Sequence, residues 1–318
     1  MTSITYQFEL IQAIRNFFLK NDFIDVLTPP LVENPGMETH IHSFRAFKNY
    51  KKELSDLYLH TSPEFHMKKL LAENSDLQNI FTISYCFRDE PRSPIHREQF
   101  LMLEWYRRDA YYEKIMDDVE DLIRYCQSFF SKNILARPAI HQFERTTVAE
   151  LFQNILHIDI HNFTDKTELK KLIEKDFKDV PLPMSECNWD DYFFLLFLNK
   201  IEPQFVHYPY LLVKEFPSQL AALSTLKKSD PRVCERFEVY LSGVELCNCF
   251  NELTDMNEQI KRFTIQQQEK LQLYNYELPW PKEFIMTLQN GHPKSSGIAL
   301  GIERLLCSLL KVENPFFS

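Results

Sequence analysis

The stretch FRDEPRSPIHREQFLMLEWY, residues 87–106, decides the fold of this chain. It is predicted to form a strand, a polar loop and a second strand, because apolar and aromatic residues flank a segment rich in Pro and Arg. A plain surface hairpin does not need the density of cations, rings and carboxylates found here. These residues are Arg88, Glu90, His96, Phe100, Glu104 and Tyr106.

The residue types in this hairpin suit a site where anionic groups meet. Arg88 is the candidate for bridging a carboxylate and a phosphate, because a guanidinium binds oxygens of both in a bidentate manner. His96 could steady outer phosphates, Phe100 could stack on adenine, and Glu90 could accept from the adenine amino group. The alternative is a surface hairpin with a core phenylalanine and an arginine–glutamate pair. The joint spacing favours the functional interpretation.

A second informative stretch, SGIALGIERLL at 296–306, is predicted to be a strand that runs into an apolar helix. Gly297 and Gly301 permit a close approach of the backbone. Arg304 would emerge at the helix start, where the helix dipole and free N–H groups already favour anions. The chain has only 5 glycines and neither a GxGxxG motif nor a P-loop, so side chains would have to hold a nucleotide.

Together the two stretches resemble motifs 2 and 3 of class II aminoacyl-tRNA synthetases, the lysyl branch in particular. The resemblance implies an α+β catalytic domain, with a mainly antiparallel sheet flanked by helices, that activates an amino acid with ATP. It implies catalytic roles for Arg88 and Arg304, and a terminal ammonium of the substrate held by Glu104 and Tyr106. The residues that would bind ATP are Arg88, Glu90, His96, Phe100, Glu245 and Arg304.

The acidic strand RFEVYLSGVELCNCFNELTD, 236–255, adds a metal prediction through the same resemblance. Glu245 and Glu252 match a pair that coordinates magnesium at the ATP phosphates, and two carboxylates suffice for this ion. Strict strand alternation would place positions seven apart on opposite faces, so the local geometry must bend. Without the resemblance these would be solvated glutamates. Asn248 and Glu252 match positions that contact the substrate.

The segment Ser62-Pro63-Glu64 resembles a loop whose glutamate receives the amino group of the substrate. The same residues also predict a helix start, with Ser62 as N-cap and Pro63 at the first helical position. Both interpretations can hold together.

This chain departs from the common sequence of the lysyl branch at two positions, and at a third position it has an alanine that differs between members of the branch. Arg97 lies where the family commonly has asparagine, and Cys249 lies where it has glycine. Ala299 occupies a position that is glycine in lysyl-tRNA synthetases and alanine in the paralogues that ligate (R)-β-lysine to elongation factor P. One methyl group changes selectivity by about 1–3 kcal/mol.

The resemblance to the elongation factor P ligases covers nearly the whole chain, including 61–71, 102–107, 236–240 and 251–255. It implies a single catalytic domain over 1–318 without an anticodon-binding OB domain. It also implies a β-lysyl adenylate whose acyl group passes to a lysine of elongation factor P. Motif 1, around Pro29 and Pro30, implies a homodimer. Two alternatives stay open: a lysine-activating ligase for tRNA or another carrier, and a catalytically silent amino-acid sensor.

Composition and charge limit the possible partners and the possible location of the protein. A net charge of −9 disfavours tRNA as a partner, and most of the basic clusters, one of which contains Lys68 and Lys69, are expected to be solvated surface. Seven cysteines without a CxxC spacing predict reduced thiols. Neither a signal peptide nor an apolar run long enough to cross a membrane is found, so a cytoplasmic protein is expected. Strands are predicted at 80–87, 99–107, 204–213, 235–241 and 244–253, and helices at 7–20, 112–131 and 256–273.

Overall fold

The computed structural model describes residues 3–183, 187–313 and 315–316. Within these residues the strands are β1 (Ile24–Asp25), β2 (Leu31–Val32), β3 (Arg45–Lys48), β4 (Glu53–Leu59), β5 (Asn79–Phe87), β6 (Gln99–Arg108), β7 (Glu144–Thr147), β8 (Leu211–Lys214), β9 (Arg236–Leu241), β10 (Val244–Asn251) and β11 (Ser295–Gly301). The α-helices are α1 (Ser3–Lys20), α2 (Glu64–Glu73), α3 (Tyr112–Phe130), α4 (Val148–Leu151), α5 (Lys166–Asp176), α6 (Trp189–Leu196), α7 (Met256–Tyr274), α8 (Lys282–Gln289) and α9 (Ile302–Leu309).

The chain forms two compact units: Met1–Ala139 with Asn251–Ser318, and Ile140–Phe250. In the first unit the strand order is β1-β5-β6-β11. The β1–β5 pair is parallel, whereas β5–β6 and β6–β11 are antiparallel. A smaller antiparallel sheet, β2-β4-β3, accompanies it. The α+β class with a mainly antiparallel sheet is therefore confirmed.

Register divides the main sheet of the first unit into two chemically different faces. Glu104 lies opposite Thr82 on one side and Ala299 on the other, and Tyr106 lies opposite Gly297. Directly opposite residues share a face. Phe100 follows the same alternation as Glu104 and Tyr106, so all three lie on one face. This face carries the candidate chemistry.

The opposite face of this sheet is apolar and packs on α1. Phe81 and Trp105 are fully buried, and the ring of Phe18 from α1 lies 4.8 Å and 5.1 Å from their ring centroids. Burying a large apolar side chain contributes about 1.5–3 kcal/mol. This packing fixes β5 and β6, which in turn positions the polar face.

The second unit has the strand order β10-β9-β8-β7 and an aromatic core that includes Phe152, Phe193 and Phe197. The strand predicted at 204–213 is largely wrong. Residues Glu202–His207 form a 3₁₀ helix, and only Leu211–Lys214 are extended. Pro203 lies in the first turn of this helix, where its missing N–H is not needed, and Pro209, inside the predicted strand, has no N–H to donate to a strand ladder.

The predicted hairpin turn between β9 and β10 is confirmed. Ser242 and Gly243 have φ angles of 50° and 85°, and a type I′ turn requires positive φ at both central residues. A bulge follows between Glu245 and Cys247. The bulge changes the alternation of β10: Glu245 pairs with Tyr240 and Asn248 with Glu238, so these two residues lie on one face although they are three positions apart.

All seven cysteines are free thiols in the structure. Over the described part of the chain, helices are too short or too polar to cross a membrane.

Candidate functional site

Arg88 lies at the end of β5, at the mouth of the loop that leads to β6. Its backbone N–H donates to the carbonyl of Glu98 at 2.9 Å, and its guanidinium carbon lies 5.2 Å from the centroid of the Phe100 ring. Among the described residues, its Nε is buried without a hydrogen-bond partner. A buried donor without a partner is costly. Arg88 therefore fits an anionic ligand at this position.

Arg304 and His96 meet at the start of α9. Nη2 of Arg304 lies 3.0 Å from Nε2 of His96, and Oγ of Ser93 lies 2.9 Å from Nδ1. Burial, followed by the Arg304 charge, lowers the pKa of His96, whereas Glu90 acts in the opposite direction. A neutral His96 that accepts from Arg304 must donate from Nδ1 to Ser93. The structure thus joins the motif 2 loop to the motif 3 helix.

Glu104 and Tyr106 form a buried pair on β6, 1% and 2% exposed. The Tyr106 hydroxyl donates to Oε1 of Glu104 at 2.9 Å. Over the described residues, Oε2 of Glu104 has no hydrogen-bond partner. Burial and then the Glu64 charge raise the pKa of Glu104 well above its usual value. The pair presents a carboxylate oxygen that an ammonium group could bind.

Gly297 provides the space that this pair needs. A Cβ at this position would lie 2.1 Å from the nearest atom of the Tyr106 ring, a distance that real Cβ contacts do not show. The need for glycine here is steric. At Gly301 an added Cβ would make only ordinary contact, at 3.5 Å from Arg304.

Lys68, on α2, is a residue that the sequence interpretation missed. Its Nζ lies 2.6 Å from Oε1 of Glu64 and 2.5 Å from Oε2 of Glu252. Lys68 is an exception to the expectation that most basic clusters are solvated surface, since its side chain is 2% exposed. Burial lowers the pKa of Lys68, but Glu252 and then Glu64 raise it above the usual value. The ammonium is therefore a permanent charge between two carboxylates.

A signal for Lys68 was present in the sequence. Glu64 precedes it by one helical turn, and Met67 and Leu71 are buried neighbours on the same helix. The predicted N-cap needs a correction as well: α2 begins at Glu64, and Pro63 rather than Ser62 occupies the N-cap position, without a side-chain hydrogen bond. Proline has no side-chain acceptor, so it cannot cap the helix as serine would.

A second unpredicted cation holds the loop that contains Glu38. Nζ of Lys270 donates to the carbonyls of Glu38, Thr39 and Ile41 at 3.1, 2.9 and 2.7 Å. Burial and then Glu64 raise the pKa of Glu38, and Arg88 opposes this rise. Glu38 is therefore close enough to Glu64 and Arg88, two of the predicted site residues, for their charges to shift its pKa.

The predicted residues divide between the units. Asn248, in the second unit, accepts from Nε of Arg236 at 3.2 Å, and Arg236 pairs with Glu238 at 2.5 Å. Glu245 belongs to the same unit. The first unit contains Ser62, Glu64, Arg88, Glu90, His96, Phe100, Glu104, Tyr106, Glu252, Ala299 and Arg304.

The residues present fit ATP and magnesium. The unpartnered Nε of Arg88 suits a phosphate or carboxylate oxygen. Where the structure describes the chain, it contains no cluster of three or more His, Cys, Asp or Glu that could hold a metal ion. Magnesium bound with phosphate and water does not need such a cluster. Glu252 keeps one carboxylate oxygen, Oε1, without a hydrogen-bond partner among the described residues.

Comparisons with known proteins agree with this geometry. The family model described as "tRNA synthetases class II (D, K and N)" matches residues 2–314. The chain is 34% identical to the elongation factor P–(R)-β-lysine ligase of Hamiltonella defensa, over 96% of this chain and 90% of the relative. The ligase of the same name from Vibrio cholerae is 35% identical, over 93% and 88%. That from Haemophilus influenzae is 35% identical, over 96% and 90%. The chain therefore belongs to the class II tRNA synthetase family and, within it, to the family of the elongation factor P–(R)-β-lysine ligases.

Proposed function

We propose that this ATP-dependent amino-acid ligase activates (R)-β-lysine as an adenylate and transfers the acyl group to a lysine side chain of elongation factor P. Relatives at 34–35% identity carry the corresponding name. The proposal extends their named activity to this chain and assigns roles to its own residues.

One observation carries the proposal: unpartnered groups of opposite sign occur in one site. Arg88 Nε is a buried donor without a partner, and Glu104 Oε2 is a buried acceptor without one, among the described residues. Native structures rarely leave such groups unpaired. An amino acid with a side-chain ammonium supplies both partners, since its carboxylate can accept from Arg88 while its ammonium donates to Glu104.

The charge count supports a substrate with two ammonium groups. Glu64, Glu104 and Glu252 influence one another electrostatically, and Lys68 is the cation among them. Ionised, they carry a net charge of about −2, because three carboxylates face one ammonium. Two ammonium groups would neutralise this charge, and unpaired buried charge is strongly unfavourable. Lysine and (R)-β-lysine each supply two.

The role proposed for Arg88 and Arg304 is the electrostatic stabilisation of charge during adenylate formation. A substrate carboxylate oxygen attacks the α-phosphate, the bond to pyrophosphate breaks, and an acyl adenylate forms. Arg88 and Arg304 would stabilise the negative charge that develops there. The amine of the acceptor lysine then attacks the acyl carbon, AMP leaves, and the amine loses a proton. Covalent attachment to the enzyme is not required.

The remaining roles follow the family resemblance. Phe100 would stack on adenine, with His96 at the phosphates and Glu90 at the adenine amino group. Glu245 and Glu252 would bind magnesium, which neutralises phosphate charge. Ser62, Glu64, Asn248 and Ala299 would contact the amino acid. The family match runs through both compact units, which supports a single catalytic domain.

Two further proposals concern assembly and location. The motif 1 region around Pro29 leaves Leu27 87% exposed, with Ile24 and Leu31 also exposed. Exposed apolar side chains close together support a homodimer through this region. Light scattering during gel filtration should give twice the chain mass; a monomeric mass would contradict the dimer. Seven free cysteines support a reducing, cytoplasmic location.

Acceptor labelling tests the proposed function directly. Purified enzyme, ATP, magnesium and (R)-β-lysine should add one β-lysyl mass to one lysine of elongation factor P, detected by intact-mass spectrometry. Arg304→Ala should reduce the labelling rate by about 10²–10³-fold, the usual cost of losing a charge-stabilising donor. Arg124→Ala is the control, since Arg124 lies on α3, is 49% exposed, and pairs with Glu120 and Asp121 of the same helix. Unmodified elongation factor P with the wild-type enzyme would contradict the proposal.

A further inference from the structure

We propose that Lys68 is a positioning residue for the amino-acid substrate: its ammonium holds Glu64 and Glu252 in the arrangement that binds the substrate's amino groups. The inference rests on the proposed function, because it assigns a task to a residue of the same site.

The contact geometry is that of a fixed bridge. Nζ of Lys68 lies 2.6 Å from Glu64 and 2.5 Å from Glu252, which are themselves 12% and 1% exposed. Solvent therefore cannot screen or replace these contacts. Glu64 and Lys68 are one turn apart on α2, whereas Glu252 follows β10 by one residue. One ammonium thus ties a helix to the segment after a strand.

Among the described residues, Glu64 and Glu252 are the carboxylates in ion-pair contact with Lys68. Its Nζ lies 5.5 Å from the centroid of the Phe284 ring, which stacks on Phe65 at 4.3 Å. His292 lies close enough for Lys68 to lower its pKa, and Glu104 lies close enough to feel the ammonium. The two carboxylates are therefore the groups whose positions depend on Lys68.

Loss of this ammonium would release both carboxylates. Without a cation between them, two buried carboxylates repel each other, and the unpaired charge is strongly unfavourable. Glu64 would then leave the position in which it faces the amino group of the substrate. Binding of the amino acid should suffer, while binding of ATP without magnesium should not, because its proposed contacts are Arg88, Glu90, His96, Phe100 and Arg304.

A purely structural ion pair would behave differently. Its removal would lower the stability of the fold and affect both substrates through the same unfolding. A positioning role predicts a selective effect on one substrate. Binding of each substrate by itself separates the two interpretations.

The experiment compares wild type, Lys68→Met and Lys69→Met by isothermal titration calorimetry with (R)-β-lysine, α-lysine and ATP, each alone. Lys69 is the matched control, because it is the next residue on α2, is 33% exposed and pairs with Glu283. Lys68→Met should raise the Kd of the preferred amino acid by about tenfold or more, which corresponds to about 1.4 kcal/mol. The Kd of ATP should stay within about threefold, and Lys69→Met should match the wild type.

A second pair of variants keeps the test decisive if Lys68→Met does not fold. Glu252→Gln removes one of the two repelling charges, so Lys68→Met is introduced into that background and compared with Glu252→Gln alone. The added change should again raise the amino-acid Kd by about tenfold. Equal amino-acid affinities with and without Lys68, or an equal loss for ATP, would overturn the inference. Wild-type protein that binds neither amino acid would instead overturn the proposed function.

Discussion

The protonation state of a carboxyl group in the site depends strongly on the groups around it. Glu104 is buried, bonded to Tyr106 through one oxygen and unpartnered through the other over the residues described. Burial together with nearby carboxylates raises its pKa, so an arriving ammonium would favour the ionised form. The proposed recognition of a side-chain ammonium would thus depend on the burial of this one carboxyl group.

Ala299 allows a prediction about selectivity. It lies directly opposite Glu104 on β11, so its methyl group adjoins the carboxylate proposed to bind the substrate. Ala299→Gly should shift the kcat/KM ratio toward α-lysine by about tenfold, since one methyl group in a pocket changes discrimination by about 1–3 kcal/mol. Adenylation kinetics with both isomers measure this ratio. An unchanged ratio would show that Ala299 does not select the isomer.

The identities of Arg88, Glu104, Tyr106 and Arg304 as site candidates could be predicted from the sequence, because their spacing follows strands and a helix start. Lys68 was missed, since lysine is almost always solvated and Glu64, one helical turn before it, was the one local signal for its position. Its burial depends on Glu252, which is distant in sequence and close only after folding. Pairing across such a separation leaves no local pattern.

At the scale of elements, the β6–β11 pair determines whether the site can form. Gly297 is the one position in this pair where the ring of Tyr106 occupies the space of a Cβ. The strands themselves are regular, so the local sequence predicts them well. The segment after Pro203 is predicted poorly, because its apolar pattern resembles a strand, whereas the proline also fits the first turn of a short helix.

Gly297→Ala tests this pair. The added Cβ should displace the Tyr106 ring, lower the stability by about 1–3 kcal/mol and weaken amino-acid binding. Gly301→Ala is the matched control, because its Cβ would meet its nearest neighbour at 3.5 Å and its φ is −78°. Urea unfolding and calorimetric binding give the two quantities. Wild-type stability and affinity in Gly297→Ala would contradict the steric account.

At the scale of the whole molecule, buried titratable groups connect folding to pH. His292 is 7% exposed, and burial lowers its pKa from 6.5 to about 4. Between these values the unfolded chain binds a proton that the folded chain does not bind. Stability is therefore fully present above about pH 6.5 and declines as the pH falls toward 4.

This linkage predicts the pH dependence of unfolding. From pH 7 to pH 5, His292 alone should account for a loss of about 2 kcal/mol in the free energy of unfolding, at about 1.36 kcal/mol per pKa unit. Urea unfolding of wild type and His292→Gln at both pH values measures it. The variant should lose less stability than the wild type over this range. Identical losses would mean that His292 does not contribute.

The central claim is that the whole chain activates (R)-β-lysine, and ATP–pyrophosphate exchange tests it most directly. Purified protein is assayed without tRNA, with (R)-β-lysine and with α-lysine at matched concentrations. We expect exchange with both, and faster exchange with (R)-β-lysine. A preference for α-lysine would contradict the assigned substrate and favour another carrier. A lack of exchange with either would contradict the enzymatic account and favour an amino-acid sensor.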